Sequence, residues 1–537
     1  MSTGAERQGQ PPRVPFALLD ELACYHHAPA EPNNVHIEAL VPGHLDERAL
    51  RQAVTQAIAA APRASGRMAA GAALRCRFQW EFPAVPDVDA MSRATWSDED
   101  ELAAIRNRFL ADAPSLRTSP PVRLLLAIGP ADSCLILNVH HAALDGLSSL
   151  GLLRDIAARY QAIAGTPGPA PGSPVPLVPT PPAAERKPGG PPPAALRRGV
   201  PPAAPVRPAA RTAGEAADQA RADTAADQAR ADTARADTAR AGRRLRRSLA
   251  RALRRYPSAR IAPDGARRVR RDGHGVRLLR LPTVPRPPSG ATVTDLLVAA
   301  LIATVAIWNA AHRRAPRTIA VSVPGSVHSP GLPAVAGNRT RTVTVTVSPR
   351  TAAAPPAVLL AEVSRQLAVT RRARRQETSA GVLDATPGWC PVVLKRLALR
   401  GTLRAVGRVV CDTTLLSNLG NVTGPATGPW PGGPARIAFS SPVHMPRGLA
   451  VSVVTADGQL QAAFRYLHAL LDDAAAARLA EIFAAALEEF TDVEGDAHGP
   501  AGRAAGDPRL PSRQGRPAVP RGRGPAVQPA PSARVPD

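Results

Sequence analysis

Apolar and polar positions along the chain fall into two patterned blocks separated by a long stretch with no pattern. In the first block, VHIEALVPG (35–43) mixes apolar and polar positions with partial alternation and predicts a strand. HLDERALRQAVTQAIAAAP follows, placing Leu45, Leu50, Val54 and Ile58 on one helical face and stopping at Pro62. VRLLLAIG (122–129) predicts a second strand and Pro130-Ala131-Asp132 a turn. CLILNVH (134–140) is apolar apart from Asn138 and the terminal His140, as in a strand buried on both faces. Asp145-Gly146 can then cap a helix whose apolar face is Leu147, Leu150, Leu153 and Ile156. Strand, helix, strand, strand, helix is an α/β order.

The second block opens near Val276. VRLLRLPTVP predicts a strand, ATVTDLLVAALIATVAIWNAAHRR a long helix, and RTIAVSVPGSV another strand. TRTVTVTVSP (340–349) alternates valine and threonine with period two, a strand signature. GLAVSVVTADGQLQAAFRY (448–466) predicts a hairpin turning at Asp457-Gly458, and DDAAAARLAEIFAAALEEF (472–490) a closing amphipathic helix. Between the blocks, residues 165–275 begin as a polyproline-type linker and continue into the repeat ADQARADTAADQARADTARADTAR (217–240). That repeat has no large apolar residue and cannot bury a core, so a disordered linker is expected, as is a disordered basic tail over 493–537. The organisation predicted is two α/β lobes, 14–164 and 276–492.

Charge changes this picture little. The net charge is +24, but the linker and the stretch from His498 onward carry 18 of those charges. The basicity is therefore not that of a folded groove, and no specific nucleic-acid partner is expected. Cys24, Cys76, Cys134, Cys390 and Cys411 are odd in number and show no C-x-x-C spacing, so neither disulfide framework nor zinc site is indicated. The N-terminal MSTGAERQGQ lacks the apolar core of a secretory signal. Leu296–Trp308 is the most apolar run, and its thirteen residues are too short to cross a bilayer. A cytoplasmic protein without a membrane span is expected, as a monomer.

Candidate chemistry concentrates in HHAALDG, His140 to Gly146. The two histidines stand where a buried strand ends and turns toward a helix, a place that can project an imidazole into a cleft as a general base. Asp145 is placed to stiffen the loop through a salt bridge. A second doublet, His26-His27, has no Asp-Gly after it, so paired histidines alone mean little. A metal site would want more ligands nearby than this spacing supplies, and none is assigned. A chance match to all four fixed positions is on the order of one in a thousand at ordinary residue frequencies.

LNVHHAALDGLSSLGLLRDIA resembles the HHxxxDG signature of the acyltransferase superfamily. That superfamily holds nonribosomal peptide synthetase condensation domains, chloramphenicol acetyltransferase and wax ester synthase/diacylglycerol acyltransferases. The opening LLDELACYHHAPAEPNNVHIEALVPGHLDERALRQAV, with DTTLLSNLGNV (412–422) and FSSPVHMPRGLAVSVVTADGQLQAAFRYLHALLD (439–472), is most similar to stand-alone condensation proteins. The resemblance implies two chloramphenicol-acetyltransferase-like lobes forming a pseudo-dimer around a central tunnel. It implies His141 as the catalytic histidine, with His140, Asp145 and Gly146 structural at the site. No cofactor is implied as bound. The acyl group would arrive on a carrier-protein phosphopantetheine or on coenzyme A and pass to the amine or hydroxyl of a small-molecule acceptor. Neither an adenylation signature nor a G-G-x-S carrier site is present, so a carrier protein would act in trans.

The chain departs from the family pattern at three places, one of them the arginine-rich repeat insert between the lobes, where length is well tolerated. AAPRASGRM has Ser65 where the arginine that pairs with the aspartate is usual, which leaves Arg63 or Arg67 as candidate partners of Asp145. The second-lobe helix begins TVTD, with Thr294 in place of the usual asparagine. Beside a condensation enzyme of secondary metabolism stands a coenzyme-A-dependent O-acyltransferase of the wax ester synthase/diacylglycerol acyltransferase type, and Ser65 and Thr294 keep open a lapsed enzyme kept as a carrier-binding scaffold.

Overall fold

The computed structural model describes residues 13–165 and 258–496 apart from 27–30, 72–74, 265–272, 282–283, 285–289, 327–337, 339, 374–389, 398–400, 402–410, 423, 425–426, 428–429 and 431. The Pro-rich linker, its repeat, the arginine-dense 242–257 and the tail from 497 lie outside the described residues.

The first block forms β1 (Arg13–Pro15), α1 (Leu18–His26), β2 (Asn34–Pro42), α2 (Glu47–Ala60), α3 (Pro62–Ser65), β3 (Arg67–Met68), β4 (Gln79–Glu81), β5 (Met91–Thr95), α4 (Glu99–Ala111), β6 (Val122–Ile128), β7 (Asp132–His140) and α5 (Gly146–Ala164). The predicted strands, turn and helices are there, with Gly165 ending α5 in the left-handed region at φ 67°. β2 and β7 pair antiparallel from Asn34 opposite His140 to Pro42 opposite Asp132. β7 is buried on both faces because two layers cover it. Leu135, Leu137 and Val139 join Leu50, Val54 and Ile58 of α2 and Leu153 and Ile156 of α5 in one core. Cys134 and Ile136 face Leu102 and Leu110 of α4 in another. Asn138, the polar interruption, is satisfied by its neighbours: it accepts from Asn34 Nδ2 at 2.7 Å and donates to the Phe109 carbonyl at 2.9 Å. β1, β4 and β3 form a small separate sheet.

The second block contains β8 (His274–Leu281), α6 (Val293–Ala311), β9 (Ile319–Ser326), β10 (Thr340–Val347), α7 (Pro349–Ala352), α8 (Pro356–Ala373), β11 (Thr414–Val422), β12 (Arg436–Ser440), β13 (Leu449–Ala456), β14 (Gln459–Leu467) and α9 (Asp473–Asp496). Its sheet runs β10-β9-β11-β13-β14-β8. The β13–β14 hairpin turns at Asp457 and Gly458, both at positive φ (46° and 74°), the geometry its Asp-Gly predicts. α6 is long and apolar enough to cross a membrane by length and composition. Its Leu297, Val298, Leu301, Ile302 and Val305 are instead fully buried with Phe483 of α9 in the second core.

The structure corrects the predicted lobe boundaries in two ways. Residues 258–264 belong to the second lobe, not the linker, since Ala259, Ile261 and Ala262 are buried in its core. A stretch with one large apolar residue in seven gives no period to read. More important, the lobes are not contiguous in sequence. β12 leaves the second block and pairs antiparallel with β2, making the first sheet β12-β2-β7-β6-β5. The lobes are also joined by the α4 core, where Val276 of β8 and Ala463 of β14 pack against Leu102 and Leu110.

Candidate active site

His140 and His141 have opposite surroundings although they are adjacent. His140 is the last residue of β7 and is 3% exposed. Its Nδ1 accepts from the Ala142 N–H at 3.1 Å, and its carbonyl accepts from Ala143 N–H at 2.8 Å, so it shapes the turn. His141 is partly buried and faces a cavity of about 170 Å³ shared with Asp145 and Gly146. The backbone of His141 is held by its N–H donating to the Asn33 carbonyl at 2.9 Å. Its Nδ1 is buried without a hydrogen bond of normal geometry.

Burial lowers the pKa of His141 below the usual imidazole value. The Asp145 carboxylate and nearby backbone carbonyls pull it up, and His444 pushes it down, but desolvation is the largest influence. The ring is therefore neutral near pH 7, the form a base requires.

Asp145 is the N-cap of α5, as its position predicts, accepting from Ser148 N–H at 2.9 Å while 2% exposed. The two arginines expected as its partners are engaged elsewhere. Arg63 Nη1 donates to Asp20 at 2.9 Å, and Arg67 pairs with Glu81 at 2.7 Å and with Asp87 at 2.5 Å. The reason is local: α3 and β3 aim both side chains at α1 and the small sheet, away from the cavity. Gly146 matters by close approach, not by conformation. A Cβ there would lie 3.1 Å from Leu419 Cδ2 and 3.1 Å from Phe439 Cε2, both from the second block.

The far wall of the cavity was not legible in the sequence as a site. It comes from Pro324, Thr342, Ser417, Asn418, Phe439 and Ser441. Asn418 stands at a register shift between β11 and β13. Its amide donates to Thr294 Oγ1 at 3.1 Å, so the TVTD departure supplies a hydroxyl that orients a cavity residue. The signal in the sequence was DTTLLSNLGNV (412–422), one of the segments that carry the resemblance. A larger cavity of about 750 Å³ opens on the opposite face of β2, between Glu38, Arg106, Arg277 and Arg436. His141 does not line it, and size alone does not mark the chemistry.

No protein-family profile matches the chain. Two uncharacterized proteins of Mycobacterium tuberculosis, from strains CDC 1551 / Oshkosh and ATCC 25618 / H37Rv, are each 27% identical over 469 residues, spanning 84% of this chain and 93% of theirs. Among solved structures, the EpoB cyclization-docking bidomain of a nonribosomal peptide synthetase from Sorangium cellulosum superposes with TM-score 0.54 at 14% identity, covering 90% of this chain and 85% of that one. The first condensation domain of the CDA synthetase gives TM-score 0.52 at 15% identity, covering 89% and 97%.

Proposed function

The chain has the fold of nonribosomal peptide synthetase condensation domains, and on that scaffold we propose that it is a condensation-type acyltransferase of secondary metabolism. In this reading the donor is an acyl thioester, carried on the phosphopantetheine of a carrier protein supplied by another chain or on coenzyme A. The acceptor is the amine or hydroxyl of a small molecule. His141 takes the acceptor's proton as its nitrogen or oxygen attacks the thioester carbonyl. The tetrahedral oxyanion collapses, the carbon–sulfur bond breaks, and the proton passes from His141 to the departing thiolate.

One observation carries the reading: a neutral imidazole, half-shielded from water, faces a cavity whose walls come from both lobes. Asp145 caps α5 at the cavity's edge, and in this reading its carboxylate braces the loop. His140 contributes a braced turn.

The test is acyl transfer by the full chain with a loaded carrier protein and, in parallel, with acyl-coenzyme A. His141→Ala is expected to lower transfer by about 10²–10⁴-fold, the usual worth of a general base. Transfer from coenzyme A but not from the carrier selects the O-acyltransferase reading. Undiminished transfer by His141→Ala overturns the catalytic assignment. Carrier binding without transfer by the unaltered chain would make it a scaffold.

A further inference from the structure

The larger cavity carries chemistry that acyl transfer at His141 does not use. It holds about 750 Å³ and is lined by α4, β2 and β12 of the first sheet's side and by β8 and β14 of the second. That volume lies in the range of small-molecule sites. Two of its charges are buried: Glu38 is 4% exposed and Arg106 6%. Arg106 donates from Nε and Nη2 to the two Glu38 oxygens, at 2.5 and 2.7 Å. The pairing occupies both oxygens of Glu38 but leaves Arg106 Nη1 without a partner among the described residues, open to the cavity. A guanidinium N–H at such a buried place ordinarily finds an acceptor.

Three further guanidiniums stand at the mouth. Arg277 and Arg280 of β8 and Arg436 of β12 are exposed, and none makes a hydrogen bond or ion pair among the described residues. Glu99 and Asp100, on the first turn of α4, line the same cavity and are unpaired there too. The remaining acceptors are committed. Asp473 accepts from Tyr466 OH at 2.5 Å, and Asn107 Oδ1 accepts from Val276 N–H at 3.0 Å. Guanidiniums from β8 and β12 and carboxylates from α4 thus share one cavity without closing on each other.

We propose that this cavity binds a small phosphorylated molecule whose body carries hydroxyl or amine groups. The phosphate lies among Arg106 Nη1, Arg277, Arg280 and Arg436. Its three acceptor oxygens take N–H donors from several strands at once, which the two oxygens of a carboxylate do less well. The hydroxyl or amine donates to Glu99 and Asp100, which supply only acceptors when ionised. Because the walls come from both lobes, the bound molecule bridges them. His141 lines the other cavity and takes no part.

The experiment is isothermal titration of the full-length chain with glycerol 3-phosphate and, separately, with inorganic phosphate. Glycerol 3-phosphate is expected to bind at one saturable site, about tenfold more tightly than phosphate, because only it also reaches the two carboxylates. Arg280→Gln and Arg436→Gln are each expected to weaken both probes about tenfold, the worth of one charge-assisted hydrogen bond. Glu99→Ala combined with Asp100→Ala separates the two ends of the site. It is expected to abolish the preference for glycerol 3-phosphate while leaving inorganic phosphate bound as tightly or more so, since two like charges are gone. All four side chains are exposed, so unfolding midpoints of the variants are expected to match the unaltered chain.

The arginines of the linker and tail offer phosphate a diffuse alternative. Binding that survives Arg280→Gln and Arg436→Gln together belongs to them and overturns the proposal, as does the absence of saturable binding. Equal affinity of the unaltered chain for the two probes overturns it as well. His141→Ala is expected to bind both probes unchanged. Loss of binding in that variant would move the ligand to the other cavity and refute the site, whatever His141 does in acyl transfer.

Discussion

Gly146 shows at the scale of one residue how the two blocks share a site. Its sequence neighbour Asp145 suggests a helix start, which any small residue could follow. What favours glycine is the approach of Leu419 and Phe439, 3.1 Å from where a Cβ would stand. Gly146→Ala is expected to cost about 1–2 kcal/mol of stability through overpacking. Because the methyl enters the cavity beside His141, kcat/KM is expected to fall about tenfold as well. Chemical denaturation and transfer kinetics on one preparation check both. The histidine doublet teaches the same lesson. His140 is the last residue of β7 and His141 the first of the turn that follows, so the strand's end puts the two rings in different surroundings. Register with β2 sets His140 opposite Asn34, and the turn then brings His141 to the cavity.

At the scale of elements, α5 depends on its cap. Asp145 Oδ1 accepts from Ser148 N–H, and the Asp145 carbonyl accepts from Ser149 N–H at 2.8 Å. Asp145→Ala removes the side-chain acceptor at a buried helix end and is expected to cost about 1–2 kcal/mol. Asp145→Asn keeps an oxygen at that place and is expected to cost less. Urea unfolding midpoints of the two variants decide it, and equal losses would mean that the cap is not what the carboxylate contributes to stability. The helix was legible because capping and apolar spacing are local. The partner of its aspartate was not. Arg63 and Arg67 are near in sequence to the expected position, yet Asp20, Glu81 and Asp87 receive them. Ion-pair choice follows where an element points, and no local pattern encodes that.

The whole molecule is held along a polar seam between its lobes. Arg465 of β14, 1% exposed, donates to the Asn34 carbonyl at 2.9 Å and to Asn34 Oδ1 at 2.6 Å. Burial lowers its pKa to about 9. Arg465 also stands 3.1 Å from His274 Nε2. On β2, His36 meets Ser440 Oγ of β12 at 3.1 Å and Glu38 at 3.2 Å, with Arg106 holding Glu38 at 2.7 Å. Burial lowers the pKa of both His36 and His274, outweighing the pull of Glu38 on His36. The folded state thus keeps these rings neutral where the unfolded chain would protonate them. Their contribution is complete above the unfolded value of about 6.5 and is lost as pH falls below it toward the folded values. Denaturation midpoints are therefore expected to drop as pH falls from 7 to about 5, above the range in which ordinary carboxylates titrate. His274→Asn is expected to flatten that drop, and an unchanged slope would remove His274 from the seam's pH response.

The sequence alone determined the elements of the first lobe and where its HHAALDG loop falls between them. Apolar period, caps and turn residues act within a few positions, and HHAALDG carries its histidine between a strand and a helix whose ends are locally specified. Tertiary structure decided what that loop faces. The passage of β12 into the first sheet, the Thr294–Asn418 contact and the meeting of His444 with Asn33 join residues over a hundred positions apart. Such contacts depend on which strand edges pair and which loops the pairing draws together. That choice is a property of the whole packed chain and leaves no period behind in its parts.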